Sequence, residues 1–590
     1  MSAFYDLASL VVVPSGYKSG KVYAQKPLTT DGQLAFTRAS SATRVASNGL
    51  IEKVRTNLAL YSEDQTNWTD QNQTSVTANA AANPLNGAVT ADKVIPSATT
   101  NDHYRGLTMG SIVGEFTSFI YVKADGYSII DYGVYNVTAL NYPVRAVFDL
   151  STQTITQING SISSITSVGS GWYRISVSAS VASTSTMGIF HRVRSTGTSG
   201  TYAGNGTSGM LLWGCQLESG VMTDYIGPTT TAAVSVGPVS GLPRLDYYDS
   251  TCPKLLLEPQ RTNLASYSEQ FNNAAWSTQE INVTANAAIA PDGTQSADNI
   301  VPTAISGTHQ IFSAALVSSS QCAMSVFAKA NGYTTFHMLD RASGSNGAVF
   351  NLANGTVTNA GSGTGAITAM GNGWYRCTAV ASTTGVRFYV PTSASNFTGD
   401  GTSGVLLWGC QVEAGAYATS YIPTLDASVT RVADSYTRNN IYTNGLISAS
   451  GGTWFLELAD NVVLARDASG SEFYIGESAA SSVQGGARSI ALRNVGGAGS
   501  RLTIQYWNGS ALSNLFTPTS NTPKIAIKFN GTTADIFQNG VKVVTGASAA
   551  LTLASVQHFN ALAGVSRRLS QTLLFPTLLT DAQCIELTTI

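Results

Sequence analysis

Charge is scarce in this chain. Asp, Glu, Lys and Arg make up 11% of its 590 residues, where a globular domain usually carries about 25%. The formal net charge is -2 and no Lys/Arg run occurs, so the field that neutralises phosphates is missing and no nucleic-acid partner is expected. No stretch of about 18 apolar residues is present, which excludes a membrane-spanning helix. The start, MSAFYDLASLVVVPSGYKSGK, lacks a basic n-region and is interrupted by Asp6 and Pro14, so it does not read as a signal peptide. The six cysteines form no CxxC pair and the five histidines are scattered, which excludes a recognisable zinc set. GxSxG, HExxH and P-loop motifs are absent. No enzyme and no cofactor are expected.

Ser, Thr, Asn, Ala and Gly take the place of the missing charge. They suit short strands and tight turns better than helices, whose exposed faces favour Glu and Lys. The chain also repeats itself. RTNLALYSE at Arg55 returns as RTNLASYSE at Arg261, YVKADGY at Tyr121 as FAKANGY at Phe327, and GWYR at Gly171 and at Gly373. GTSGMLLWGCQLESG (Gly206–Gly220) returns as GTSGVLLWGCQVEAG (Gly401–Gly415). Three tryptophans correspond in order: Trp68 with Trp276, Trp172 with Trp374, and Trp213 with Trp408. This is a duplicated domain, with a period far too long for a solenoid. GWYRISVSASV alternates in strand fashion and Asn-Gly and Asp-Gly turns punctuate each copy, so each copy is expected to be a jelly-roll-like β-sandwich.

The division is residues 1–54, an N-terminal segment; 55–228, the first sandwich; 229–260, a structured seam; 261–424, the second sandwich; and 425–590, a third domain. The third domain carries KIAIKFNGTTADIFQNGVKVV (Lys524 to Val544), three antiparallel strands with turns at Asn530-Gly531 and Asn539-Gly540. Thr580 and Gln583 form a capping box before a short helix. It reads as a β-sandwich of a second kind, so the fold class is all-β.

FYDLASLVVVPSGYKSGKVYAQKP, FTRASSATRVASNGLIE, LLLEPQRTNL, GWYR and LLWGCQVEAGAYATSYIPT together resemble a family of tailed-bacteriophage virion proteins, described as tail-fibre, head-fibre or structural proteins. The repeats are similar to carbohydrate-binding-module sandwiches, and the third domain resembles concanavalin-A-like or laminin-G-like lectin domains. The resemblance implies a virion protein, assembled in the bacterial cytoplasm with reduced cysteines. Its N-terminal segment, residues 1–54, would dock to the virion. Its partners would be other capsid or tail proteins and host-surface glycan, and it would be a homo-oligomer, with a trimer favoured. The alternative is a capsid or tail decoration protein whose lectin-like domains contact protein. A glycan depolymerase would need paired carboxylates in a cleft; Asp246 and Asp249 in RLDYYDS lie close together in sequence, but in the seam between the repeats.

Trp172, Trp213, Trp374 and Trp408 could stack on sugars but are expected in the core. Arg174 with Glu218, and Arg376 with Glu413, recur in both copies and are expected to pair across strands. Loop residues that differ between copies are the glycan candidates: His103, Tyr104 and Arg105 in the first; His309, His337, Asp340 and Arg341 in the second; and Tyr506 and Trp507 in the third domain. Planar faces and bidentate donors suit sugars. Asp400 in TGDGTSG is where a calcium site would start, but Asn205 stands there in the first copy.

Overall fold

The structure is a computed structural model. It describes residues 2–14, 24–26, 34–160, 162–196, 200–316, 320–459, 470–477, 487–494, 502–520, 522–562 and 567–589. The chain is nearly all antiparallel β, with short helices at Ser2–Leu7 and Asp581–Thr589. Among the described residues no helix is long and apolar enough to cross a membrane. Two compact units separate: residues 54–237 with 294–296, and residues 1–53, 238–293 and 297–590.

The first copy is a ten-stranded β assembly around Phe116, Ile120, Tyr132, Phe148 and Ile175. Two very long strands, Tyr104–Asp125 and Trp172–Arg194, pair with each other and shift register near Thr108 and Ile112. In the second copy each of these is broken in two. Gln310–Ser313 is followed by Ser320–Asn331, and Trp374–Thr383 by Val386–Tyr389. The result is two separate six-stranded sheets enclosing Met324, Phe336, Phe350 and Phe388. This is the expected sandwich, in an unbroken and a broken version.

The phrase shared by the copies encodes how each sandwich closes. Gly214 and Gly409 sit at φ +63° and +65°, and a Cβ there would come 3.1 Å from the rings of Tyr121 and Phe327. Only glycine adopts this backbone freely. The next residues, Cys215 and Cys410, point into the core. Asn57 donates through Nδ2 to the Cys215 and Ile226 carbonyls at 3.0 and 2.9 Å. Asn263 does the same to Cys410 and Ile422 at 3.0 and 2.8 Å. Gln216 and Gln411 accept the Ile226 and Ile422 amides at 2.7 and 2.6 Å. Each copy thereby ties its first strand to its last apolar turn with fully satisfied polar side chains.

The third domain has a nine-stranded and a seven-stranded sheet. The Lys524–Phe529, Thr533–Gln538 and Val541–Ser548 strands form the expected meander. Thr580 accepts the Gln583 amide at 3.2 Å and Gln583 accepts the Thr580 amide at 2.9 Å, which completes the capping box.

Two boundaries change. The N-terminal segment and the seam do not stand apart; both supply strands to the third domain. Leu10–Val12 and Lys254–Leu257 pair with Arg567–Phe575, and Ala35–Thr37 pairs with Ser435–Asn439. The reason is apolar content: Phe4, Ala8 and Val11 fill a cluster with Phe455, Phe575 and Leu587, while Leu10, Leu255 and Leu257 join the main core. Without them the sheet would expose an apolar edge with unpaired backbone groups.

A buried ionic cluster holds these segments together. Arg38 pairs with Asp434 at 3.0 Å, Arg244 with Glu258 at 2.7 Å, and Arg431 with Glu258 at 3.0 Å. Arg244 also pairs with Asp434. Burial pushes the Glu258 carboxyl up, but Arg431 and Arg244 hold it far below the usual carboxylate range.

Candidate functional site

Several of the loop candidates prove to be interior. His103 is fully buried, and its ring nitrogens lie 2.7 and 2.9 Å from the Gln73 and Tyr202 carbonyls. Arg105 is buried and donates to the Trp68 carbonyl at 2.8 Å. His309 is buried, with Nε2 at 3.1 Å from the Thr303 carbonyl. Tyr506 points into the third domain's core and donates to the Ala550 carbonyl at 2.8 Å. Trp507 packs with Tyr474, Ala491 and Leu512 on the other face of that sheet. All five fill space or cap stray carbonyls, which a polar local sequence does not reveal.

The four tryptophans are buried as well. Trp172 and Trp213 cluster with Phe119 and Tyr121, and Trp374 and Trp408 with Phe327 and Tyr421. Lys53 covers the Trp408 ring at 4.9 Å. The expected Arg–Glu pairs are not direct. Arg376 donates through Nη2 to the Thr419 carbonyl at 2.5 Å, and Thr419 donates its amide and hydroxyl to Glu413 at 2.9 and 2.5 Å. Glu218 takes the Thr223 amide and hydroxyl at 2.8 Å each, while Arg174 lies 5.5 Å over the Phe119 ring. The strand geometry sets each arginine beside an aromatic ring and leaves the glutamate to order a turn.

The remaining candidates, Tyr104, His337 and Arg341, are partly exposed and fall on corresponding sheets of the two copies. In the first copy, Tyr104 lies beside Arg192 in the strand ladder. Arg192 stands 5.7 Å over Tyr104 and 4.8 Å over Phe190. Arg145 stands 5.4 Å over Tyr142 and 5.7 Å over Phe190. Beneath them Asp131, fully buried, binds Arg145 at 2.7 Å, Arg192 at 3.3 Å and Arg194 at 2.5 Å. Burial pushes Asp131 up, but hydrogen bonds from Arg145 and Arg194 outweigh it and hold the carboxyl below its ordinary value.

In the second copy, Arg387 stands 5.1 Å over Phe312 and 5.8 Å over Tyr389, and Arg341 stands 5.7 Å over Phe312. His337 packs edge-on to Tyr389 at 6.5 Å. Burial lowers its pKa. Arg341 donates to the Ser313 carbonyl at 2.7 Å. Asp340 beside it is held at about 2: burial raises it, but backbone donors from Ser343 and Asn346 prevail.

Each sandwich thus presents a lattice of arginines stacked on aromatic rings. Rings offer flat apolar faces and guanidinium edges offer paired donors, a combination that binds polyhydroxylated ligands. Sequence reasoning missed Arg145, Arg192, Phe190, Tyr142, Phe312, Arg387 and Tyr389. The period-2 spacing of Phe190, Arg192 and Arg194, and of Arg387 and Tyr389, was the available signal.

The other site readings resolve into structure. Asp400 accepts the Thr402 and Ser403 amides at 2.9 and 2.6 Å and so caps its own turn. Among the described residues no group of three His, Cys, Asp or Glu is placed to hold a metal. Asp246 accepts the Val45 amide at 2.8 Å, and Asp249 pairs with Arg568 at 3.1 Å.

No protein-family model and no curated protein matches the chain. Among solved structures it is similar to domain 4 of AbnA, a GH43 extracellular arabinanase from Geobacillus stearothermophilus, in complex with arabinotriose. The identity is 12%, the match covers 30% of this chain and 83% of that one, and the TM-score is 0.20. A likeness this distant leaves function to be argued from the chain's own residues.

Proposed function

We propose that the chain is a structural protein of a bacteriophage virion, fibre- or spike-like, whose two sandwiches adhere to host-surface glycan. The observation that carries the adhesion reading is the arginine–aromatic lattice repeated on corresponding sheets of both copies. Each lattice alone is a shallow, weak site, and two on one chain raise the effective affinity through multivalency. The virion setting rests on the family resemblance of the repeated motifs.

The decoration reading draws on a different feature. The strand Thr154–Asn159 ends the first copy's sheet with no charged residue, and Ile158 and Ile162 are 49% and 60% exposed. Such an edge suits pairing with another protein.

A glycan array probed with the full chain separates the two. The adhesion reading expects binding to host surface polysaccharide, reduced at least tenfold when Tyr104→Ala and Phe312→Ala are combined, with melting unchanged. Binding that is absent, or insensitive to both substitutions, rejects it.

A further inference from the structure

The second compact unit contains a cleft that shares no residue with the lattices. Its cavity is about 460 Å³, inside the window of about 300–1,000 Å³ typical of small-ligand clefts. The floor is the outward face of the Thr364–Gly371 and Trp374–Thr383 strand pair. Its rungs are Thr364 with Val380, Ala366 with Thr378, and Thr368 with Arg376. The four steps from Thr364 to Thr368 extend roughly 14 Å at about 3.4 Å per residue, so the floor is a flat strip of small side chains. The walls come from elsewhere in the unit: Arg44 from the short hairpin Arg44–Val45 with Ile51–Glu52, and Tyr248, Tyr417 and Arg568.

The acids around this cleft are already committed to the protein. Asp246 takes the Val45 amide at 2.8 Å. Glu258 takes the Ser420 amide at 2.7 Å and the Arg244 and Arg431 guanidinium groups at 2.7 and 3.0 Å. The donors are not all committed. Among the described residues, Arg44 engages the protein through Nε alone, on Glu52 at 2.6 Å. The Nε of Arg376 is buried with no hydrogen-bond partner, a costly arrangement in a folded protein. Arg568, by contrast, is engaged: it lies 4.9 Å over the Tyr248 ring, donates to the Tyr248 carbonyl at 2.8 Å and pairs with Asp249 at 3.1 Å. The cleft therefore has spare guanidinium donors on Arg44 and Arg376 and suits an acceptor-rich anion.

We propose that this cleft binds a saccharide bearing a carboxylate. The carboxylate meets the guanidinium groups of Arg44 and Arg376, where a planar two-oxygen acceptor fits the arginine fork. The sugar ring lies over the threonine and alanine strip, flanked by Tyr248 and Tyr417. An acidic peptide fits less well. The floor is the face of a strand pair, and ladder bonds form at a sheet's edge, so a peptide lying on this face would gain none. The site is independent of the adhesion reading, because it shares no residue with either lattice.

The test is calorimetric titration of the full chain with trigalacturonate, with its fully methyl-esterified form, and with hexaglutamate. Trigalacturonate is expected to bind at least tenfold more tightly than the ester or the peptide. Arg44→Gln should weaken it at least tenfold, and Thr368→Trp, which fills the floor, should abolish it; both variants should melt as the parent does. Tyr104→Ala and Phe312→Ala should leave this titration unchanged even if they abolish adhesion on the array. Equal affinity for acid and ester, preference for hexaglutamate, indifference to Arg44→Gln, or loss on substituting the lattice residues would each overturn the assignment.

Discussion

Arg244 donates to Asp434 across 190 residues of sequence, and neither side chain is exposed to solvent. The pair joins the seam to the strand segment that opens the third domain. Asp434 also receives Arg38 at 3.0 Å and the Glu258 amide at 2.9 Å. Removing one partner from such a site leaves an uncompensated buried charge, at a cost of about 3–5 kcal/mol. Asp434→Ala should therefore lower the denaturation midpoint of the unit containing the third domain by that amount, read by urea titration. The unit formed by residues 54–237 should unfold as before.

Asn263 makes four hydrogen bonds through one side chain, to the Cys410 and Ile422 carbonyls and from the Ala265 and Val412 amides. Asn263→Ala leaves all four backbone partners buried and unpaired. At roughly 1 kcal/mol net per bond, the expected loss is about 4 kcal/mol. Asn57→Ala should cost the first copy a similar amount. A loss below about 1 kcal/mol in urea titration would show that water replaces these bonds freely.

Burial raises the pKa of Glu413, and the bonds from Thr419 and Gln411 only partly oppose it. A carboxyl whose folded pKa is raised gives its full stabilisation below the unfolded value of about 4.3, and loses it as pH rises through the folded pKa. Lowering the pH toward about 4.3 should thus raise the melting temperature through this group. Glu413→Gln should flatten that part of the profile. Asp131 has the opposite sign, since its folded pKa is lowered. Its contribution is present above about pH 4 and is lost only as pH falls through the depressed value, so the two groups separate on a pH–melting curve.

Gly409→Ala would hold a side chain at φ +65° with its Cβ 3.1 Å from the Phe327 ring. Left-handed backbone strain plus the ring displacement should cost about 1–2 kcal/mol. The equivalent Gly214→Ala meets the Tyr121 ring at the same distance, and both should shift their transitions alike.

The duplication was legible because its motifs are local: strand, bulge glycine, inward cysteine and closing turn lie within a few residues. The meander and the capping box of the third domain were legible for the same reason. What escaped was whatever depends on partners distant in sequence. His103 sits in a polar run, NDHYRG, yet its ring is held between carbonyls 30 and 99 residues away. Arg376 and Glu413 meet through Thr419 in the second copy, an atom-level link that co-occurrence could flag but not identify. The lattices of Arg192 and Arg387 arise from cross-strand neighbours, so only register brings them together.

The pairing of Leu10–Val12 with Arg567–Phe575 sets a timetable for synthesis. The Ser9 hydroxyl bonds to the carbonyl of Leu574, 565 residues later. At about 5–20 residues per second of translation, the first strand waits on the order of half a minute to two minutes for its partner to leave the ribosome. The two duplicated sandwiches, whose strands all precede Arg567–Phe575 in the chain, can form in that interval. The third domain's sheet is completed only once Arg567–Phe575 has been made, so a chain terminated before it would carry an unfinished apolar edge.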